Sequence, residues 1–243
     1  MARKLVEIFL MDRERCLSLA LSYLKYNREQ KGEQLMDELM NNVLLGIPEC
    51  VANLQLPDPQ LRDYFRDEQE RVFWVDEQIN DNLLDLVKMI IRCNKEDKDV
   101  PVEDRVPIKV FIDSPGGDVC SLWTTIKAIE ISKTPVYTIN YCTAYSAAAD
   151  LLASGHKRYA LPGTSIMVHS GSCMYGGTIE QAESMKKYFD KLGKKVTDYF
   201  LAHTKVEPRV YKKKAPSDWY LDEEEALKYG IIDEIIANLD ILY

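Results

Sequence analysis

Val106-Pro107-Ile108-Lys109-Val110-Phe111-Ile112-Asp113 runs directly into Ser114-Pro115-Gly116-Gly117-Asp118. The first eight residues alternate as a strand does. Proline and two adjacent glycines then demand a sharp turn, and Asp118 is a residue type that opens helices by accepting first-turn N–H groups. Strand, tight turn and helix form the building unit of an α/β protein, and the same texture spreads in both directions from this point. Upstream, residues 71–75 read as a strand, residues 81–93 as a helix with Leu83, Leu84, Leu86, Val87, Ile90 and Ile91 inward, and the charged residues 95–104 as a surface loop. Downstream, residues 118–133 read as a helix, 135–141 as a strand, 144–154 as a small-residue helix, and 158–161 and 165–169 as short strands. Thr178-Ile179-Glu180-Gln181 is a capping box. The spacing of Ala182, Met185, Phe189, Leu192, Val196 and Phe200 continues it as a long amphipathic helix to His203. Asp222-Glu223-Glu224-Glu225 opens another helix, which Gly230 stops before an apolar strand over 231–236.

Residues 1–66 differ. Leu17, Leu21 and Leu24, then Leu35, Met36, Leu39, Met40 and Val43, predict two amphipathic helices in an N-terminal helical extension that carries no catalytic pattern. The expected organisation is therefore an extension over 1–66 and an α/β domain over 67–243.

The whole chain has 243 residues, 46 % hydrophobic and 29 % charged, which supports a packed core. Its formal charge of −8 lacks the basic footprint of a nucleic-acid binder and disfavours an anionic membrane. No apolar run is long enough for a membrane span, and no secretory signal is evident near Met1. Six scattered cysteines without a CxxC pair read as reduced, mostly buried thiols of a cytoplasmic protein, with no zinc site or other metal and no cofactor expected.

Candidates for chemistry are few. Of three histidines, His156 sits in a charged turn and reads as solvated, and His203 ends the long helix, where it would favour the dipole. His169 ends an apolar strand and enters a Gly/Ser-rich stretch, the position where α/β proteins place reactive groups. Ser146 stands where a strand turns into an alanine-rich helix; it is either an N-cap or a hydroxyl displayed beside free N–H groups. Ser114-Pro115-Gly116-Gly117 is either a plain turn or a loop whose open N–H groups let another backbone approach. The phosphate-loop and dinucleotide patterns are both missing, and so is the GxSxG elbow of α/β-hydrolases.

Four segments together resemble the ClpP family, the proteolytic subunits of ATP-dependent Clp proteases: Phe111 to Gly117, Ala144-Tyr145-Ser146-Ala147, Arg158 to Pro162, and Ile166-Met167-Val168-His169. A fifth, Ser217-Asp218-Trp219-Tyr220-Leu221 with the tail to Asp233, is similar to the family's C-terminal motif. The resemblance covers about residues 68–238. It implies a ClpP/crotonase-type fold of repeated β-β-α units with a protruding long helix, and a serine endopeptidase cutting unfolded polypeptides. It assigns Ser146 as nucleophile, His169 as base, Asp218 as the acid orienting it, and the Gly117 and Ala147 N–H groups as the oxyanion hole. Gly116, Gly117, Ser170, Gly171 and Ser172 would bind substrate, the last three on an exposed edge that takes an extended peptide as a strand. It further implies a homo-oligomer of stacked rings and an AAA+ unfoldase partner. Cys142, Ala147 and Ser170-Gly171 depart from the residues usual in the family. A catalytically silent structural or adaptor subunit on the same scaffold, and acyl-CoA chemistry of the crotonase kind, are the competing readings.

Overall fold

The structure, a computed structural model, describes residues 66–242. The expected N-terminal helical extension therefore lies, but for Arg66, outside the described residues. Strands β1 (Val72–Val75), β2 (Ile108–Ser114), β3 (Val136–Tyr145), β4 (Lys157–Ala160), β5 (Ser165–Val168), β6 (Trp219–Asp222) and β7 (Glu234–Ile235) form one sheet. β1, β2, β3, β4 and β7 lie side by side and parallel. β3 is long enough to serve two partners. Its first part, Tyr137 to Asn140, pairs with β4, and its last part, Thr143 to Tyr145, pairs in parallel with β5. β6 then adds antiparallel to β5.

Helices α1 (Leu83–Glu96), α2 (Val119–Ile131), α3 (Ala147–Leu152), α4 (Ile179–His203), α5 (Pro208–Lys214) and α6 (Glu223–Lys228) complete the α/β architecture. Leu122, Ile126 and Ile129 of α2 are wholly buried with Ile108, Val110 and Ile112 of β2 and Leu151 and Leu152 of α3. Each such side chain contributes about 1.5–3 kcal/mol through burial. Val72, Phe111, Ile139 and Tyr159 form a smaller apolar cluster of their own with Ile236. β2 is thus buried almost continuously rather than in alternation, as expected of a parallel strand covered on both faces.

Several local expectations shift. The helix expected from residue 144 begins only at Ala147, because Ala144 and Tyr145 pair with Ile166 and Met167; sheet pairing overrides the helix preference of alanine. In α1 the buried set is Leu83, Leu86, Met89, Ile90 and Cys93, and Ile91 is 64 % exposed, since it falls a hundred degrees off that stripe. Only Glu234 and Ile235 of the expected terminal strand are paired. The cysteines are not mostly buried: of the four described, all free, Cys93 is buried, Cys120 half-buried, and Cys142 and Cys173 exposed. α4 carries its capping box but meets the core only in its second half, through Leu192, Val196, Tyr199 and Phe200. In its first half Ile179, Met185 and Tyr188 are exposed.

The loop after α1 is not simply a charged surface. Asp97 is buried, and both its oxygens accept from Arg71, at 2.7 and 2.8 Å, while Thr134 Oγ1 donates at 2.8 Å. The Arg71 hydrogen bonds hold the Asp97 carboxyl below its ordinary range. A depressed carboxylate stabilises the fold above its unfolded pKa, and that stability is lost as pH falls through the lower folded value. Removing one partner leaves a buried charge unpaired. Arg71→Met is expected to cost about 3–5 kcal/mol in denaturant unfolding at neutral pH. Asp97→Asn is expected to flatten the acid limb of the stability–pH curve below about pH 4.

Candidate active site

The ends of β3, β5 and β6 meet at one point. Tyr145 pairs with Met167 in the parallel β3–β5 ladder, so the next residue, Ser146, donates its N–H to the Met167 carbonyl at 2.8 Å. Val168 faces Trp219 in the antiparallel β5–β6 ladder, so His169 and Asp218 occupy the next facing positions. Register alone therefore gathers residues 146, 169 and 218, which are far apart in the chain.

Side-chain geometry follows. Ser146 adopts φ 55° and ψ −124° at the turn into α3, and its side chain makes no capping hydrogen bond. A non-glycine residue held at positive φ stores of order 1–3 kcal/mol of strain. The hydroxyl is instead 2.6 Å from His169 Nε2. Beyond the ring, His169 Nδ1 lies 3.3 Å from Asp218 Oδ1, a looser contact. Asp218 is also at positive φ, 47°, and its side chain is 57 % exposed, whereas that of His169 is 18 % exposed. The His169 carbonyl accepts from Tyr211 Oη at 3.3 Å, and Ser170 N–H donates to Ala215 O at 3.1 Å, which ties the histidine to α5 and the turn after it.

The Ser114-Pro115-Gly116-Gly117 turn is pressed against the same point. Ile79 N–H donates to Gly116 O at 2.9 Å, and Asp118 N–H donates to Ile79 O at 2.8 Å, so residues 116–118 are clamped from both sides. Glycine is obligatory here. A Cβ on Gly116 would fall 2.5 Å from Tyr145 O, and one on Gly117, at φ 153°, only 2.1 Å from Ile79 O. Gly117 N–H has no acceptor among the described residues. Ala147 N–H is in the first turn of α3, where helix geometry supplies no partner and the dipole is positive.

These parts line a cleft of about 880 Å³ that holds Gly116, Gly117, Ser146, Ala147, His169, Ser170, Gly171 and Ser172 together. Asp218 stands behind His169 and does not line it. Residues 170–172 are exposed as expected but form no strand. The Ser170 tether and the left-handed φ of Gly171, 87°, turn the chain instead of extending it. The other histidines are elsewhere. His156 is exposed, as its charged turn suggests; its Nδ1 accepts Val136 N–H at 2.9 Å, and partial burial of the ring lowers its pKa. His203 stacks on Tyr199 and bonds its carbonyl at 2.8 Å. Among the described residues no cluster of three or more His, Cys, Asp or Glu side chains is arranged to hold a metal, and no helix is long and apolar enough to cross a membrane.

Two residues escape sequence reasoning. Asp113 Oδ1 accepts both Thr143 N–H, at 3.1 Å, and Thr143 Oγ1, at 2.6 Å, where β2 breaks register with β3 just before the glycine turn. An acid ending an apolar strand was the available signal. Asp150, one turn after Ser146, lines the cleft, and burial pushes its carboxyl up to about 8. A lone acid inside an alanine-rich helix was the signal there.

The arrangement gathers a serine, a histidine and an aspartate beside a cleft on a largely parallel α/β sheet. A family model described as Clp protease matches residues 62–239, and the chain belongs to that family. It is 34 % identical over 131 residues, 53 % of this chain, to the ATP-dependent Clp protease proteolytic subunit of Deinococcus radiodurans. It is 30 % identical over 134 residues, 54 % of this chain, to ATP-dependent Clp protease proteolytic subunit 2 of Treponema denticola. The matches take in 64 % and 67 % of those two relatives.

Gly117→Ala is expected to lower the thermal midpoint by several degrees in a calorimetric scan, because a Cβ collides with backbone rather than a movable side chain. Gly176→Ala, with no atom within 4 Å of the added Cβ, serves as the control and is expected to leave the midpoint within about 2 °C.

Proposed function

We propose that the chain is a serine endopeptidase of the Clp type that cleaves unfolded polypeptides. The observation that carries this reading is the 2.6 Å contact between Ser146 Oγ and His169 Nε2 inside a cleft with N–H groups beside it. In this reading His169 takes the Ser146 proton as the oxygen attacks a peptide carbonyl, because a serine hydroxyl is a weak nucleophile until a base accepts its proton. Asp218 fixes the tautomer, with Nε2 as acceptor, and stabilises the imidazolium. The Gly117 and Ala147 N–H groups stabilise the oxyanion, each by around 3 kcal/mol. His169 then protonates the leaving amine, and water repeats the sequence on the acyl-enzyme. Gly116, Gly117 and residues 170–172 bind the substrate main chain, which gives sequence-tolerant recognition.

The relatives' names describe ATP-dependent enzymes. By extension this chain works with an ATP-driven unfoldase of the AAA+ kind and assembles as stacked rings in the cytoplasm, with residues 67–243 as its peptidase domain. Exposed Ile179, Met185 and Tyr188 on the unburied half of α4 support self-association, since a monomer gains nothing from presenting them to water.

Ser146→Ala is expected to lower peptide hydrolysis by about 10⁴-fold or more and to abolish labelling by a fluorophosphonate, with the circular dichroism spectrum unchanged. Undiminished turnover would overturn the assignment. A wild-type protein that assembles yet cleaves nothing, even with an unfoldase, would favour a silent structural subunit. The double variant Met185→Glu, Tyr188→Asp is expected to shift the protein from a large assembly to smaller species in sedimentation velocity.

A further inference from the structure

Asp150 is the one acidic group in the cleft with neither a role nor a partner. It lies on α3, one turn after Ser146, and helical side chains lean toward the N-terminus, here toward Ser146. The other acids lining the cleft are engaged. Asp118 caps α2 by accepting Ser121 N–H at 2.7 Å, and Asp190 pairs with Lys186. No hydrogen bond or ion pair to the Asp150 carboxyl exists among the described residues, and burial alone shifts its proton affinity. Lys194, a cation lining the same cleft, makes no ion pair with it. Tyr211 lines the same cleft, and its phenol is raised chiefly by its own burial. Val119 and Leu122 from α2 and Val196 from α4 add apolar surface to the same cleft, with Thr197 beside them. A carboxyl in such surroundings is costly to ionise unless a cation arrives to compensate it.

Resting on the peptidase reading, we propose that Asp150 makes this cleft select polypeptides with lysine or arginine on the acyl side of the scissile bond. The methylene stem of such a side chain packs along Val119 and Val196, and its charged head meets the carboxyl, a division of labour that long basic side chains suit. A neutral apolar residue fills the same space but leaves the acid uncompensated. A glutamate adds a second acid.

The full-length protein would be assayed with peptides identical except for lysine, norleucine or glutamine before the scissile bond. The expected kcat/KM order is lysine first, by about tenfold to a hundredfold over norleucine. The near-isosteric Asp150→Asn is expected to erase that preference, and Asp150→Leu to reverse it. A norleucine or glutamine preference in the wild type, or a lysine preference surviving in Asp150→Asn, would overturn the proposal. Equilibrium binding of the same peptides to Ser146→Ala, alone and combined with Asp150→Asn, reads selectivity without turnover. Lysine-selective binding that vanishes with Asp150, in a protein that hydrolyses nothing, would sink the catalytic reading and leave this one standing. Equal binding of all three peptides would sink the specificity claim alone.

Discussion

The placement of β5 between β3 and β6 is the constraint from which the rest follows. A parallel ladder on one side fixes Ser146 against Met167, and an antiparallel ladder on the other fixes His169 against Asp218. A one-residue slip in either ladder would send the side chain concerned to the opposite face of the sheet. Register is therefore part of the site, and the apolar residues that enforce it, Ile166, Val168, Trp219 and Leu221, are all buried. The length of β3 belongs to the same constraint. Had it ended after pairing with β4, β5 would have no parallel neighbour and Ser146 no defined exit from the sheet.

Strain is the second consequence. Ser146 and Asp218 both sit at positive φ without glycine's freedom. Such conformations persist only where their surroundings over-determine them. For Ser146 those surroundings are visible: its N–H is held by Met167, its carbonyl by Ala149 N–H, and the Gly116 backbone leans on Tyr145 and Ala147. The glycine turn thus does two jobs. It leaves the Gly117 N–H without an acceptor among the described residues, and it buttresses the bend that turns the Ser146 hydroxyl away from capping and toward His169.

How much of this could be read from the residues depends on whether the information was local. Helix starts at Asp118, Thr178 and Asp222 were legible, because capping is a contact between residues three apart, and all three side chains accept the N–H their position demands. The α/β class was legible for the same reason. The start of α3 was not. Ala144 favours helix locally and opens an alanine-rich run, and only pairing with β5, some twenty residues on, makes it and Tyr145 strand. The Arg71–Asp97 pair hid inside what read as a charged loop, since nothing local says which of many acids will be enclosed. At the site, Ser146 and His169 stood at suggestive strand ends, but Asp218 was one acid among many; its position opposite His169 is a property of the β5–β6 ladder. Asp150 showed only as a lone acid in an alanine-rich helix, because its significance lies in having no partner among the described residues to neutralise it.

α4 ties the core to the cleft. Its buried second half supplies Val196 and Thr197 to the cleft wall, and Phe189, Asp190, Gly193 and Lys194, at the junction between the halves, line the same space. Gly193 sits at that junction with open space where a side chain would be, and a glycine inside a helix weakens it by about 1 kcal/mol relative to alanine. The helix is thus least reinforced where it passes from core to solvent, and residues just beyond that point form part of the wall a substrate would touch. The shape of one side of the cleft is therefore set by the core beneath the second half of α4. Ser146 and His169 are held independently of it, by strand register.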